Sequence, residues 1–133
     1  MAALDTNILV RFLVEDDQAQ LDAARKLIRK CVNAGETLYV PVTVALELEW
    51  VLRSNFGFTK PEILRTFSQL LMTLELVFES ERALELGLMQ FAAGRADFSD
   101  CLHVALAACA GEEPLWTFDK AASQLEGARL LKP

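Results

Sequence analysis

Short apolar runs alternate along this chain with longer stretches in which apolar residues recur every three or four positions. The short runs predict strands and the periodic stretches predict amphipathic helices. We predict the order β-α-α-β-α-α-β-α-α-β-α-β. Such alternation is typical of an α/β protein, here with a mostly parallel central sheet of four or five strands and helices on both of its faces.

The predicted boundaries rest on that pattern together with the turn residues between the segments. Gly35 and Gly57 follow helical stretches and predict their ends, and Pro61 suits the first turn of a helix. The 133 residues predict a single domain, 1–133, with one core. The predicted strands are 2–4, 38–40, 74–78, 115–118 and 128–131, and the longer predicted helices are 7–14, 16–33, 43–55, 60–73, 80–93 and 98–110.

Composition adds an expectation about surfaces and location. Hydrophobic residues make up 53% of the chain, which predicts an exposed apolar patch of the kind that marks a partner interface, with a dense Leu/Ala core as the alternative. The sequence contains neither an apolar stretch long enough for a membrane span nor a signal peptide pattern. Its three cysteines form no CxxC pair, so we expect a protein of the reducing cytoplasm.

The net charge of −6 taken alone argues against nucleic-acid binding, because contacts with phosphates need positive charge. That argument weakens if several of the acidic residues bind metal, since a bound divalent cation inverts the local field. The positions of the acids therefore decide the functional interpretation.

Two aspartates directly follow predicted strands. Asp5 comes after the first strand and Asp119 after the strand at 115–118. In open parallel sheets the carboxyl ends of the strands are where ligands bind. Each aspartate also precedes a helix, so a helix N-cap is the alternative for either one. Two such residues after separate strands favour a site.

Glu47 and Glu49 lie on the same predicted helix. The neighbours of Glu47 one turn away include Trp50 and Val51, so we expect its carboxylate to point toward the core or a cleft. Glu49 has Arg53 four residues later, which predicts an ordinary solvated ion pair. A carboxylate on an apolar face needs a pairing partner or a metal. Glu47 is therefore the stronger candidate, and a distant Arg or Lys partner is its alternative.

Asp97 and Asp100 stand at the start of the helix predicted from 98. Asp97 suits an N-cap, and Asp100 falls in the first turn, where the helix dipole favours an acid. The alanines downstream would let this helix approach the sheet closely and bring Asp100 toward the strand ends.

Carboxylate oxygens are the ligands that Mg²⁺ and Mn²⁺ prefer, and one or two such ions held by four carboxylates suit phosphodiester hydrolysis. Polar neighbours of the acids could orient metal-bound waters, and nearby basic residues could hold a nucleic-acid backbone. The first group is Thr6, Asn7 and Thr117, and the second is Arg11, Arg95 and Lys120.

Taken together, Asp5-Thr6-Asn7, Glu47 in ALELEWVL, Asp100 in ADFSDCLHVALA and Asp119 in WTFDK resemble the PIN domain, and more narrowly the VapC toxins of bacterial type II toxin–antitoxin pairs. The resemblance covers residues 4–131. It implies an α/β/α sandwich and an endoribonuclease that depends on Mg²⁺ or Mn²⁺.

The resemblance also implies that Asp5, Glu47, Asp100 and Asp119 are the catalytic, metal-binding acids. Asp100 is assigned by the family's spacing, and Asp97 stays open as an accessory ligand or a helix cap. The implied partners are an RNA substrate, a second copy in a homodimer, and a VapB-type antitoxin that lays a peptide into an apolar groove. Residues 56–71 are one candidate surface, with Phe56, Phe58, Ile63, Leu64 and Phe67.

Three other functions compete with this one. A PIN-like module could bind RNA or a partner without cutting. A phosphohydrolase or dehalogenase could use Asp5 as its nucleophile, although such enzymes usually carry a second aspartate where this chain has Asn7. A signalling receiver needs a phosphoacceptor aspartate after a middle strand, where this chain has Pro41 or Glu79.

Overall fold

The structure, a computed structural model, describes residues 2–133. The predicted order of helices and strands is confirmed, and most boundaries lie within two residues of those expected. The last predicted helix is a single 3₁₀ turn, Ala122–Gln124. The other elements are β1 Ala2–Ala3, α1 Thr6–Leu13, α2 Gln18–Asn33, β2 Leu38–Val40, α3 Val42–Phe56, α4 Lys60–Leu71, β3 Leu76–Phe78, α5 Glu81–Ala93, α6 Phe98–Cys109, β4 Leu115–Thr117 and β5 Ala128–Leu130.

Local chemistry sets the helix ends. Gly57 ends α3 with a left-handed φ of 67°, which glycine adopts without steric cost. The side chain of Thr59 accepts a hydrogen bond from the backbone N–H of Glu62, whose carboxylate in turn accepts from the backbone N–H of Thr59. This capping box, with Pro61 in the first turn, starts α4.

The strands are all parallel, but they do not form one sheet of four or five strands as predicted. A three-stranded sheet has the order β1-β2-β3, and β4 and β5 form a separate two-stranded sheet in which Leu115 pairs with Ala128. Strand periodicity predicts that a segment is extended but does not identify its neighbour, and strands of two or three residues carry little further information about register.

The chain divides into two compact units, the first ending at Glu79 and the second beginning at Ser80. In the first unit, apolar side chains of α1 to α4 pack with those of the three-stranded sheet, and Leu38, Val40 and Leu48 are fully buried. Ile63 and Phe67 are also fully buried. The prediction of residues 56–71 as a partner surface is therefore wrong for these two side chains, which belong to the core of α4.

In the second unit, α5 packs closely against α6. A Cβ atom at Gly87 would lie 3.3 Å from the Cα of Leu102, so only glycine fits this approach without displacing backbone. The rings of Phe91 and Phe98 meet edge to face with their centroids 5.6 Å apart. This packing holds the beginning of α6, and with it Asp97 and Asp100, in place.

Candidate acidic metal site

Thr6 connects two of the predicted site residues in the first unit. Asp5 is the N-cap of α1, and its Oδ1 accepts a hydrogen bond from the backbone N–H of Thr6 at 2.7 Å. The hydroxyl of Thr6, a residue only 2% exposed, donates to Oε1 of Glu47 on α3. The structure therefore brings the carboxylates of Asp5 and Glu47 together around one threonine.

This pair lies just beyond the carboxyl end of β1. The backbone N–H of Leu4 donates to the carbonyl of Tyr39 at 2.9 Å, which carries the pairing of β1 with β2 up to the residue before Asp5. Asp5 and Glu47 are both exposed to solvent. Asp5 thus follows a paired strand, as its place in the sequence predicts, and solvent can reach both carboxylates.

The predicted orientation of the two glutamates of α3 is wrong. Glu49 is buried, with 3% of its surface exposed, and Glu47 is exposed. The buried stripe of α3 runs through Ala45, Leu48 and Leu52, and Glu49 falls on that stripe. The predicted ion pair does form, because Nε of Arg53 lies 2.8 Å from Oε2 of Glu49.

A third acid, which follows β3, forms a hydrogen bond with the backbone. Glu79 directly follows β3, and its Oε1 accepts a hydrogen bond from the backbone N–H of Val42 at 2.8 Å, at the start of α3. Burial raises the pKa of Tyr39, and the charge of Glu79 and a hydrogen bond with it raise it further. Glu79 therefore has a structural role that the sequence reasoning did not assign, although its place after a strand could have indicated it.

In the second unit, three aspartates influence one another. Partial burial raises the pKa of Asp100, the charges of Asp119 and Asp97 raise it further, and His103 opposes them. Asp97 stands at the N-cap position of α6, but its side chain makes no capping hydrogen bond with any residue that the structure describes. The charges of Asp97 and Asp119 therefore both oppose ionisation of Asp100.

Thr117 and Ala122 hold the loop that carries Asp119. The backbone N–H of Asp119 donates to Oγ1 of Thr117 at 3.0 Å, and Oδ1 of Asp119 accepts from the backbone N–H of Ala122 at 2.9 Å. The N-cap position of the 3₁₀ turn is Ala121, so Asp119 does not occupy it, although its side chain accepts from the first residue of that turn. The loop is fixed from both sides, and the aspartate itself is exposed.

The sequence matches the PIN domain family over residues 2–128. The chain belongs to the PIN domain family. Its α/β fold with parallel strands is therefore a PIN-like, nuclease-type fold. PIN domains are generally nucleases, act on nucleic acid and typically use divalent metal ions. No curated protein sequence matches the chain.

The donor chemistry of this PIN domain fits a hard divalent cation. Asp5, Glu47 and Asp119 are exposed carboxylates, and Asp100 is half-buried. Between residues 2 and 133, no three or more His, Cys, Asp or Glu side chains are grouped closely enough to hold an ion. The acids offer the right kind of ligand at two places, after β1 and at the start of α6.

The remaining predicted residues have varied surroundings. Asn7 is exposed beside a pocket of about 480 Å³, and Arg11, which lines the same pocket, forms an ion pair with Asp16. Arg95 and Lys120 are exposed. None of the helices in the described part of the chain is both long and apolar enough to cross a membrane.

Proposed function

We propose that this PIN domain is an endoribonuclease that depends on Mg²⁺ or Mn²⁺, and that it is the toxin of a VapBC-type toxin–antitoxin pair. The observation that carries the proposal is the linkage of the Asp5 and Glu47 carboxylates through Thr6, just beyond the end of a parallel strand. Capping of α1 needs only Asp5. The buried hydroxyl of Thr6 also holds the carboxylate of Glu47, which lies on a different helix, α3.

In this proposal Asp5, Glu47, Asp100 and Asp119 hold one or two ions, with Asp97 as an accessory ligand or a cap. When bound, the metal would activate water and stabilise charge on the phosphodiester. Thr6 orients Glu47 by donating to Oε1, and the capping bond of Asp5 engages one carboxylate oxygen and leaves the other for a cation. Thr117 positions the backbone of Asp119, and we propose that Asn7 orients water near Asp5.

We further propose that residues 1–133 act as one PIN domain, in keeping with a family match that runs through both units. An antitoxin peptide and a second copy are the proposed partners. An apolar pocket of about 330 Å³ in the first unit, lined by Leu9, Phe12, Ile28 and Leu76 among others, suits such a peptide. Met72 and Leu74, 78% and 88% exposed, are further apolar surface that a partner could cover.

Cleavage of a structured RNA pool by the purified chain tests the enzyme proposal. The reaction is run with Mn²⁺, with EDTA, and with an Asp5→Asn variant in parallel. We expect cleavage that needs both the metal and Asp5. Cleavage that persists in the variant points to a contaminating nuclease. If the protein does not cleave the RNA, and mass spectrometry shows that no antitoxin is bound to it, the result favours a PIN-like binder that does not cut.

A further inference from the structure

One face of the two-stranded sheet in the second unit carries exposed side chains. Side chains alternate along each strand, and those of Leu115, Thr117, Ala128 and Leu130 are partly buried. The opposite side carries four exposed side chains, which we call the outer face. Its residues are Trp116, Phe118, Arg129 and Leu131, of which Trp116 is 55% and Phe118 is 69% exposed.

The register of the sheet places these side chains next to one another. Trp116 pairs with Arg129, and the backbone N–H of Leu131 donates to the carbonyl of Thr117 at 2.8 Å, which continues the pairing to the end of β4. The guanidinium carbon of Arg129 lies 5.6 Å from the centre of the Trp116 ring, within range of a cation–π interaction. Two aromatic rings and a positive charge thus share one small surface.

The outer face ends at a proposed catalytic residue. Asp119 directly follows Phe118, and Lys120 directly follows Asp119. A ligand that lies along β4 in the direction of the chain therefore passes Trp116 and Phe118 and then meets the loop that carries the exposed Asp119.

We propose that the outer face binds single-stranded RNA, with successive bases stacked on Trp116 and Phe118 and a phosphate held by Arg129. Exposed aromatic side chains beside basic ones are the usual means of binding single strands, because every base has a flat face to stack. The proposal rests on the proposed nuclease function and adds to it the route by which the strand reaches Asp119.

The spacing of the rings favours a single strand over a duplex. Phe118 is the first residue after β4. Residues two apart on an extended chain are separated by about 6.6 Å, roughly twice the 3.4 Å between stacked bases of one strand of a duplex. Two neighbouring bases can occupy Trp116 and Phe118 only after they have separated from each other, which a paired strand resists.

A second copy of this chain is the competing occupant, and the size of the surface disfavours it. A stable dimer buries about 800 Å² on each partner, which is more than four side chains on and directly after two three-residue strands supply.

Tryptophan emission reports the proposed contact directly. The chain has two tryptophans, so a Trp50→Phe background leaves Trp116 as the only one. Titration with an eight-nucleotide single-stranded RNA in EDTA, where no metal-dependent cleavage occurs, should quench this emission. The same sequence as a blunt duplex should bind at least about tenfold more weakly.

Variants then locate the binding surface. Phe118→Ala should weaken binding of the single strand by about fivefold to a hundredfold, the usual effect of removing one stacking partner. Met89→Ala is the matched control, because Met89 is 68% exposed in the same unit but lies on α5. A Phe118→Leu variant, which keeps an apolar side chain on the strand, serves if Phe118→Ala unfolds.

The outcomes separate this inference from the nuclease proposal. Unquenched Trp116 emission, or equal RNA affinity in the Phe118 and Met89 variants, would overturn the stacking surface even if the enzyme cuts RNA with Mn²⁺. Binding that depends on Phe118 without any cleavage would overturn only the nuclease activity. Loss of a dimer in Phe118→Ala, with RNA affinity unchanged, would assign the outer face to self-association.

Discussion

The acids of the two units are held in different ways. In the first unit, hydrogen bonds from Thr6 reach both Asp5 and Glu47 and set the orientation of these carboxylates. In the second unit, burial raises the pKa of Asp100, and the charges of Asp119 and Asp97 raise it further. Carboxylates that follow a strand or begin a helix can therefore be either held by donors or left to repel one another until a cation binds.

Substitutions in the two groups of acids should therefore have different effects. Changes in the first group should mainly affect the geometry of the site, because its hydrogen bonds set side-chain orientation. Changes in the second group should mainly affect the cost of keeping negative charges together without a cation. Measurements of cleavage rate and of stability in variants of each group test this division.

Glu47→Gln should lower the rate of RNA cleavage by more than about a hundredfold. The reason is that loss of a metal ligand exceeds the tenfold to hundredfold effect of losing an outer partner. Glu49→Gln, two residues away on the same helix, is the matched control. It should leave the rate unchanged but lower the free energy of unfolding by about 1–3 kcal/mol, because the buried carboxylate of Glu49 accepts a charged hydrogen bond from Arg53. Single-turnover kinetics and urea unfolding measure the two effects.

Loss of cleavage in the Glu49 variant, with normal cleavage in the Glu47 variant, would reverse these assignments. The hydrogen bond between Thr6 and Glu47 would then have no role in cleavage.

The two glutamates also illustrate how far the sequence could be interpreted. The apolar pattern predicts α3 well, and the Glu49–Arg53 pair follows from its spacing of four. The predicted orientation of Glu47 depends on Trp50 as an inward neighbour, and it is wrong because Trp50 is 54% exposed. The stripe of Ala45, Leu48 and Leu52 carried the correct signal.

Long-range contacts are harder to predict than local ones. The sequence predicts that Thr6 orients water, and in the structure its hydroxyl donates to Glu47, 41 residues away. The separate pairing of β4 with β5 likewise depends on partners that strand periodicity does not specify. Local patterns therefore indicate the helix or strand to which a residue belongs but not the distant residue that it contacts.

Thr6→Val should weaken Mn²⁺ binding and lower the rate of cleavage by about tenfold to a hundredfold, the usual effect of losing an outer partner of a metal ligand. Thr6→Ser keeps the hydroxyl and should restore most of both. Stability should change by less than about 1 kcal/mol, because Glu47 is exposed and water can replace the lost donor. Titration with Mn²⁺ and kinetics of both variants make the test. A loss confined to Thr6→Ser would contradict the role of the hydroxyl and point to packing of the methyl group, which valine keeps and serine lacks.

Asp5→Ala should lower the free energy of metal-free unfolding by about 1 kcal/mol through loss of the α1 cap, whereas Asp5→Asn should leave it nearly unchanged because asparagine caps equally well. Both variants should lose most of the stabilisation that Mn²⁺ gives the wild type. Thermal unfolding with and without Mn²⁺ measures both effects. Full Mn²⁺ stabilisation in Asp5→Asn would leave Asp5 with a capping role alone.

The smallest effect is expected in the second unit. Asp100→Asn should raise the free energy of metal-free unfolding at pH 7 by less than about 1 kcal/mol, because it removes a partly exposed charge that its neighbours oppose. The pKa of Asp100 is raised in the folded protein. The contribution of Asp100 to the stability of the wild type is therefore fully present below the unfolded pKa of about 3.9 and is lost as the pH rises through the folded pKa.

The gain in the Asp100→Asn variant should therefore disappear in acid, and urea unfolding from pH 3.5 to 7 in EDTA measures this. Saturating Mn²⁺ should reverse the order at pH 7, because the wild type gains binding energy that the variant lacks. A variant less stable than the wild type at pH 7 without metal would mean that the dipole of α6 outweighs the repulsion from Asp97 and Asp119. The acids of both units would then be held by backbone or side-chain donors, and the difference between the two groups would disappear.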